Sequence, residues 1–400
     1  MTERKLELAD IFRSLDASFL DALPVAQRRV VEDILACRTA ALGGHLTQCD
    51  QCGYQQIAYN SCRDRHCPKC QAAARAEWMQ ARADELLPCE YFHLVFTLPE
   101  QLSVMALQNK RVIYDLLFRA TSETLLEIAA DPQHLGARIG FFAVLHSWGQ
   151  TMQFHPHLHC VIPGGGLSAD NSQWIACRPG FFLPVKVLSR LFRGKFVAFL
   201  REAREQDRLT YAGQLSALAE EEEFNRWLRE LSRIEWVVYA KPPFGGPQQV
   251  LKYLARYTHR VAISNGRLLE LNDGWVTFSY KDYAAGNEIK TMTLETQEFA
   301  RRFLLHVLPR GFVRMRYYGF LANRRRAEKL ELCRRLLSTQ QPDGESITET
   351  PKDGQQIDPP AAHTICPNCS QGKMIIIEKI SAEKCLDLNL VFPVPAANTS

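Results

Sequence analysis

The stretch His155-Pro156-His157-Leu158-His159-Cys160-Val161-Ile162-Pro163 decides how this chain folds. A short apolar run of this kind, followed by three glycines, predicts a β-strand. Side chains alternate between the two faces of a strand, so the three imidazoles are expected to share one face. Cys160 then points to the opposite face, where we expect a small buried side chain. His155 lies beside Pro156, and we interpret it only as the first residue of the strand.

The two inner histidines of this strand are candidate ligands of a divalent metal ion. His157 and His159 stand at positions i and i+2, so their neutral imidazoles can chelate one ion, and a third ligand must come from elsewhere. If the preceding turn centres between residues 151 and 152, His146 lies opposite His157. Gln150, nearer the turn, is the alternative third ligand. The competing explanation is a polar pair on a half-exposed face, because two ligands alone make a weak motif.

The order of helical and strand patterns predicts an α+β fold. Between residues 89 and 337 the order is strand, helix, strand, strand, helix, strand, helix, which gives an antiparallel sheet with helices packed on one face. Residues 1–88 form a helical, cysteine-rich domain before it. Residues 338–400 begin with a polar linker that cannot bury enough apolar surface to order itself, so we expect a disordered tail with one Cys-x2-Cys turn.

A second signal lies about a hundred residues beyond the first, in Tyr253-Leu254-Ala255-Arg256-Tyr257. Residues four apart share a helix face, so the two tyrosines would present neighbouring phenols. A phenol with a pKa of about 10 is a poor nucleophile. A metal that neutralises a phosphate can make its attack feasible. Two core tyrosines of an amphipathic helix are the alternative. The basic neighbours Lys252, Arg256 and Arg260 favour a phosphate-binding surface.

Cysteine spacing predicts a structural zinc site in the N-terminal domain. Cys49-x2-Cys52 and Cys67-x2-Cys70 are separated by 14 residues, and four thiolates close a tetrahedral site with no open position. Spacing leaves open whether other residues of the segment replace a cysteine or build a second site: His45, Cys62 and His66.

The remaining cysteines carry weaker signals. Cys366-x2-Cys369 is half a metal site, which His363 and Cys385 could complete. The cysteines that stand alone are expected to be packing residues: Cys37, Cys89, Cys177 and Cys333.

Composition limits the class of protein. Four hundred residues with 46% hydrophobic content suffice for one main domain with smaller attachments. Thirteen cysteines without an export signal indicate reduced thiols in a cytoplasmic protein, and no apolar stretch approaches the ~20 residues that span a bilayer. A net charge of +4 makes no case for nucleic acid, so local clusters must make it. The candidate contacts to a DNA backbone are Arg314, Arg316, Arg324, Arg325 and Arg326.

Taken together, several segments resemble the insertion-sequence-ninety-one (IS91) family of rolling-circle transposases, within the HUH endonuclease superfamily. They are HPHLHCVIPGGG (155–166), YLARYTHRVAISN (253–265), SCRDRHCPKCQ (61–71) and VLPRGFVRMRYYGFLANRRR (307–326). The resemblance spans roughly residues 20 to 337. It implies transposition through single-stranded DNA intermediates and a 5′-phosphotyrosine, with Mg or Mn in catalysis and Zn as a structural ion.

The resemblance also assigns residues. It places the HUH pair on His157 and His159, the paired nucleophiles on Tyr253 and Tyr257, and the zinc-binding domain on the cysteines from 49 to 70. The implied partners are single-stranded DNA at the element ends and target DNA, with no membrane, and a homo-oligomer is one option. Two alternatives stay open: another HUH enzyme, such as a relaxase or replication initiator, and a catalytically inactive zinc-dependent DNA-binding protein.

Overall fold

A five-stranded antiparallel sheet lies at the centre of the protein. The chain is seen in a computed structural model that describes residues 5–72, 74, 85–241, 261–283, 285–339 and 365–388. With the strands numbered along the chain, the sheet runs in space β12 (Met315–Gly319), β4 (Gly140–Trp148), β5 (Phe154–Pro163), β3 (Tyr91–Thr97) and β8 (Val238–Lys241). Every pairing in it is antiparallel.

The alternation of side chains along β5 divides the two faces of this sheet. Leu158, Cys160 and Ile162 enter the main apolar core. That core lies beneath the helices α4 (Ser103–Gln108), α5 (Lys110–Ala130), α6 (Val185–Glu205) and α7 (Glu221–Arg233). The opposite face carries the histidines and a smaller apolar cluster around Phe142 and Val161. The predicted α+β fold with an antiparallel sheet is confirmed, and Cys160 is fully buried as expected.

A second sheet packs against the N-terminal helices. It is a meander of β9 (Leu268–Asn272), β10 (Trp275–Asp282) and β11 (Glu288–Glu295), followed by α8 (Thr296–Leu304). Asp273 and Gly274, in the turn between β9 and β10, have positive φ angles of 46° and 79°, as a type I′ hairpin turn requires. The N-terminal helices α1 (Leu8–Arg13), α2 (Ala17–Asp21) and α3 (Val25–Ala36) share a core with this unit.

The third sheet joins the two ends of the chain and corrects one expectation. Its spatial order is β13 (Met374–Ile380), β1 (Gly44–Cys49) and β2 (Gln55–Tyr59), and α10 (Ala382–Leu388) follows β13. Residues 365–388 of the tail are therefore folded and not disordered, because β13 forms an antiparallel ladder with β1 that spans all of β1. Only residues 340–364 and 389–400 of the tail lie outside the described residues.

The remaining elements are short or lie at the edges. β6 (Gly165–Leu167) pairs with β7 (Trp174–Ala176), and α9 (Arg326–Ser338) contributes Leu330 and Cys333 to a small core with Trp174. Single 3-10 turns occupy 40–42, 100–102 and 265–267, and a longer one occupies 213–219. Among the described residues, no helix combines the length and apolarity needed to cross a membrane.

Candidate functional site

Three histidines converge on the sheet face opposite the helices. In the pairing of β4 with β5, His146 lies opposite His157, which is the register predicted from the hairpin. His159 lies two residues further along β5. Each of the three residues is less than a tenth exposed, and one ring nitrogen from each lies within 4.8 Å of the others. We call this group the histidine trio.

Gln150, the alternative third ligand, is engaged elsewhere. It lies in the turn between β4 and β5, where its amide nitrogen donates to Tyr283 Oη at 3.2 Å. Its backbone oxygen accepts from the guanidinium of Arg267 at 2.5 Å. Both contacts hold the turn against residues 267 and 283, and of the two candidate third ligands it is His146 that lies with His157 and His159.

Hydrogen bonds on the far ring nitrogens orient two members of the trio. His157 Nδ1 lies 2.6 Å from the backbone oxygen of His155, which can only accept, so this nitrogen carries the proton. His159 Nδ1 lies 2.7 Å from His93 Nε2. His157 Nε2 and His159 Nε2 face each other at 3.1 Å. If both are unprotonated, their lone pairs repel unless a cation lies between them.

His93 was not singled out in the sequence, although a histidine inside the apolar strand Tyr91–Thr97 is a signal that could have identified it. It lies on β3, is almost completely buried, and its ring stacks on His159 with centroids 5.0 Å apart. Burial lowers the pKa of His93 to about 3, with nearby Lys241 acting in the same direction. His93 is therefore neutral at physiological pH, and in the tautomer protonated at Nδ1 its Nε2 can accept a hydrogen bond from His159 Nδ1.

The trio matches what a divalent metal ion needs. Two nitrogens bound at about 2.1 Å and at right angles are about 3.0 Å apart, close to the observed Nε2 separation. The carbonyl that faces His157 Nδ1 fixes the tautomer that leaves its Nε2 free to bind, and His93 would do the same for His159 when its Nε2 is the acceptor. His146 is held from behind by Trp148, whose ring stacks on it at 4.7 Å. Within the described part of the chain, this group contains no carboxylate.

The predicted nucleophiles and their basic neighbours cannot be placed. Tyr253, Tyr257, Lys252, Arg256 and Arg260 all fall in the segment 242–260, which lies outside the described residues. The residues that flank this segment are described. Lys241, at the end of β8, is the strand partner of His93. Ala262 and Ile263 belong to the same apolar cluster as Trp148.

Two of the predicted DNA-contacting arginines form ion pairs within the protein. Arg316 lies on the helix-covered face of β12, where it pairs with Asp115 of α5 and lies 4.1 Å from the centre of the Phe118 ring. Arg326 pairs with Glu85 at 3.3 Å and lies over the Tyr317 ring at 4.7 Å. Side-chain alternation along β12 puts Arg316 on the face opposite Met315 and Tyr317, but the sequence did not reveal that helices cover the Arg316 face.

The other three arginines differ in setting. Arg324 and Arg325 are exposed at the start of α9, with Arg325 facing Glu328 at 3.3 Å. Arg314 is partly buried, and burial together with the charge of Arg65 lowers its pKa to about 10. Arg324 and Arg325 therefore remain candidates for contact with a DNA backbone, while Arg314 lies deeper.

Two lysines missed in the sequence lie near each other on the His93 side of the trio. Lys241 is half-buried beside His93, and burial lowers its pKa, with Lys281 of β10 contributing. Lys281 is exposed and lies 5.9 Å from the centre of the Tyr283 ring. No motif marks them, because their proximity depends on two different sheets meeting at this edge.

The structure divides the predicted zinc ligands between two clusters, which corrects the grouping. Cys67 and Cys70 lie with Cys37 and Cys62, whereas Cys49 and Cys52 lie with Cys366 and Cys369. The reason is structural: Cys49 ends β1, next to the tail strand β13, while Cys70 lies in a helix that begins at Pro68. Cys37, expected to be a packing residue, belongs to the first cluster, and Cys385 packs with Ala40 and Ile380 instead of completing a metal site.

Sulfur separations in both clusters suit a tetrahedral metal site. Three Sγ–Sγ contacts in the first cluster are 3.5 to 3.6 Å long, and two in the second are 3.6 and 3.7 Å long. Four sulfurs at about 2.3 Å from one ion are about 3.8 Å apart, whereas a disulfide would hold two of them at about 2.05 Å. His45 and His66 belong to neither cluster, and His66 instead faces the backbone nitrogen of Leu308 at 3.4 Å.

Comparison with known proteins defines the class. A family model described as "Putative transposase" matches residues 140–329, which contain the trio, and another described as "Transposase zinc-binding domain" matches residues 9–98. The chain is a transposase with an N-terminal zinc-binding domain. It belongs to the IS91 family of transposases.

Two relatives illustrate this membership. The chain is 57% identical to the "Putative transposase y4qJ" of Sinorhizobium fredii over 378 residues, covering 93% of this chain and 95% of that protein. It is 28% identical to the "Transposase for insertion sequence element IS801" of Pseudomonas savastanoi pv. phaseolicola over 300 residues, covering 74% of this chain and 70% of that protein. No solved structure matches the chain.

Proposed function

We propose that this transposase is a metal-dependent tyrosine endonuclease of the HUH type. It cleaves and rejoins single-stranded DNA at the ends of its element through a 5′-phosphotyrosine intermediate, in rolling-circle transposition. The observation that carries the proposal is the convergence of His146, His157 and His159 on one point, with His93 fixing the tautomer of His159.

The trio would hold one divalent ion, which when bound neutralises charge on the scissile phosphate. The Oη atom of Tyr253 or Tyr257 forms a bond to phosphorus while the bond from phosphorus to the 3′ oxygen breaks. The phenol loses its proton to solvent, and the departing oxygen gains one and becomes a free 3′-hydroxyl. The second tyrosine makes the other cleavage. A 3′-hydroxyl then attacks a phosphotyrosine, which joins the strands and restores the phenol.

The flanks of the tyrosine segment support this assignment. Tyr253 follows Lys241 by 12 positions, and Tyr257 precedes Val261 by four. Lys241 pairs with β3 beside His93, and Ala262 and Ile263 pack in the cluster of Trp148, which stacks on His146. One end of the segment therefore lies next to His93, and the other shares an apolar core with Trp148, which favours a position of the phenols near the metal.

The donor set favours Mn²⁺ over Mg²⁺. Imidazoles are softer ligands than carboxylates, and Mg²⁺ prefers oxygen donors with near-ideal octahedral geometry. The trio offers three nitrogens. We therefore infer that Mn²⁺ supports cleavage at lower concentration than Mg²⁺ does.

Two surfaces favour DNA as the partner. Lys241 and Lys281 place positive charge beside the trio, where a phosphate bound for cleavage would lie. Arg324 and Arg325 provide further exposed charge. In this proposal the zinc-binding domain helps to recognise the end of the element.

The test is a covalent-adduct assay on denaturing gels. Wild-type protein with a labelled single-stranded oligonucleotide of the element end and Mn²⁺ should form an adduct, and a free 3′-hydroxyl product should appear with it. The Tyr253→Phe, Tyr257→Phe double variant should form none, and His157→Ala should form none while still binding the oligonucleotide. An adduct that persists in the double variant would falsify the tyrosine assignment.

Two further outcomes separate the alternatives. Cleavage of element ends without any strand joining would favour a relaxase or replication initiator. Binding without cleavage in Mn²⁺ by the wild-type protein would favour an inactive zinc-dependent DNA-binding protein.

A further inference from the structure

The second cysteine cluster draws its four thiols from opposite ends of the chain. Cys49 Sγ lies 3.7 Å from Cys369 Sγ, and Cys52 Sγ lies 3.6 Å from Cys366 Sγ. These pairs are 320 and 314 residues apart in sequence. The zinc-binding family model ends at residue 98, so it includes only two of the four thiols.

Each Cys-x2-Cys turn is shaped to present sulfur to a metal. The backbone nitrogens of Gln51 and Cys52 both donate to Cys49 Sγ at 3.4 Å, and that of Gly372 donates to Cys369 Sγ at 3.3 Å. Such N–H to sulfur bonds favour a thiolate, the form that binds metal.

Backbone pairing brings the two turns together. Asp50 N donates to the Lys373 backbone oxygen at 3.0 Å, and Lys373 N donates to Asp50 Oδ1 at 2.7 Å. Gly372 lies so close to the cluster that an added Cβ would overlap Cys49 Sγ. The two turns therefore lie side by side at one end of the β1–β13 ladder, with their sulfurs facing inward.

We propose that Cys49, Cys52, Cys366 and Cys369 bind a zinc ion that closes the two ends of the chain on each other. The protein then carries two structural zinc ions. The first, on Cys37, Cys62, Cys67 and Cys70, lies entirely within the N-terminal region. The second forms only when the tail is present, so a chain truncated after residue 338 retains half of that site.

Zinc stoichiometry tests the proposal independently of nuclease activity. All measurements use full-length protein that carries His157→Ala, so that the trio does not contribute bound zinc. Mass spectrometry of the metal content should give two zinc ions per chain. The Cys366→Ser, Cys369→Ser variant should retain one. The Cys89→Ser, Cys177→Ser variant, which alters two half-buried thiols outside both clusters, should retain two.

A cleavage experiment covers the case in which a serine variant fails to fold. A specific protease site is inserted between residues 339 and 365 of the otherwise unaltered chain, and the protein is cut under native conditions. The tail fragment should remain bound to the rest of the protein during gel filtration. A chelator should release it, and added Zn²⁺ should restore the complex. Three results would overturn the proposal. The parent protein could contain only one zinc ion, or the Cys366→Ser, Cys369→Ser variant could still contain two. The tail fragment could also stay bound in the presence of the chelator.

Discussion

Replacing His93 by phenylalanine should weaken metal binding without altering any metal ligand. His93 Nε2 lies 2.7 Å from His159 Nδ1 in a buried setting. Without this acceptor, His159 either leaves a buried N–H unsatisfied or moves its proton to Nε2, where it blocks coordination. An unsatisfied buried donor costs about 1–3 kcal/mol. At about 1.4 kcal/mol per factor of ten, this corresponds to roughly a 5- to 150-fold loss of affinity.

Metal affinity is the direct measurement, because His93 acts through His159. Calorimetric titration should show that His93→Phe raises the Kd for Mn²⁺ by about 10- to 100-fold, the usual range when a hydrogen-bond partner of a metal-binding histidine is lost. His93→Gln supplies an amide oxygen that can accept in place of Nε2 and should recover part of the affinity. At saturating Mn²⁺ the rate of adduct formation should return to within a few-fold of wild type.

A matched control separates this effect from general disturbance of the core. His306 is equally buried and neutral, but it bonds to Ser147 and Met152 and not to the trio. His306→Gln should leave the Kd for Mn²⁺ unchanged. If folded His93→Phe protein binds Mn²⁺ as tightly as wild type, or if His93→Gln is no better than His93→Phe, our account of the His93–His159 bond is wrong.

Three further changes have outcomes that follow from the described contacts. Lys281→Ala should make the plot of log binding constant for single-stranded DNA against log salt concentration less steep by about 0.7, measured by fluorescence anisotropy. Lys379→Ala should leave this slope unchanged. Burial lowers the pKa of His306 to about 3. As the pH falls below about 6.5, His306 takes up a proton in the unfolded chain but not in the folded protein, so the free energy of unfolding decreases. Urea titrations should show a loss of at most about 2 kcal/mol from this group between neutral pH and pH 5, which His306→Gln removes. Gly319→Ala, at a φ of 60° and with a Cβ that would overlap a backbone oxygen, should lower the melting temperature far more than Gly180→Ala, at a φ of 71° with open space around it.

Local patterns predicted the histidine pair and its partner strand because both depend on short-range geometry. Alternation fixes which side chains of β5 share a face, and antiparallel pairing across a short turn fixes which residue lies opposite which. His146 was predicted on that basis, and the register shift after it, before Trp148, lies too close to the turn to alter the pairing. His93 could not be predicted, because its contact with His159 depends on which strand lies on the other side of β5.

The arginines show a related limit. Alternation placed Arg316 on the face opposite Met315 and Tyr317, which is where it lies. The same pattern is produced by a solvent-exposed cation and by one that pairs with a carboxylate beneath a helix. Arg316 pairs with Asp115, which lies 201 residues earlier in the chain, so a local sequence pattern could not distinguish the two cases. The alternation of charged residues in a strand therefore predicts which of them share a face. Whether that face is exposed to solvent depends on how the helices pack against the sheet.

The grouping of the cysteines could not be predicted because distance along the chain limits metal binding only weakly. The entropy of closing a loop grows with the logarithm of its length. Joining Cys52 to Cys366 across 314 residues costs about 2.7 kcal/mol more than joining it to Cys67 across a loop of about 15 residues. A structural zinc site contributes on the order of 10–16 kcal/mol. The difference in loop entropy is small compared with the free energy of zinc binding, so backbone geometry selects the cysteines that share an ion. In this protein the β1–β13 ladder places Cys366 and Cys369 next to Cys49 and Cys52, although Cys67 and Cys70 are nearer in sequence.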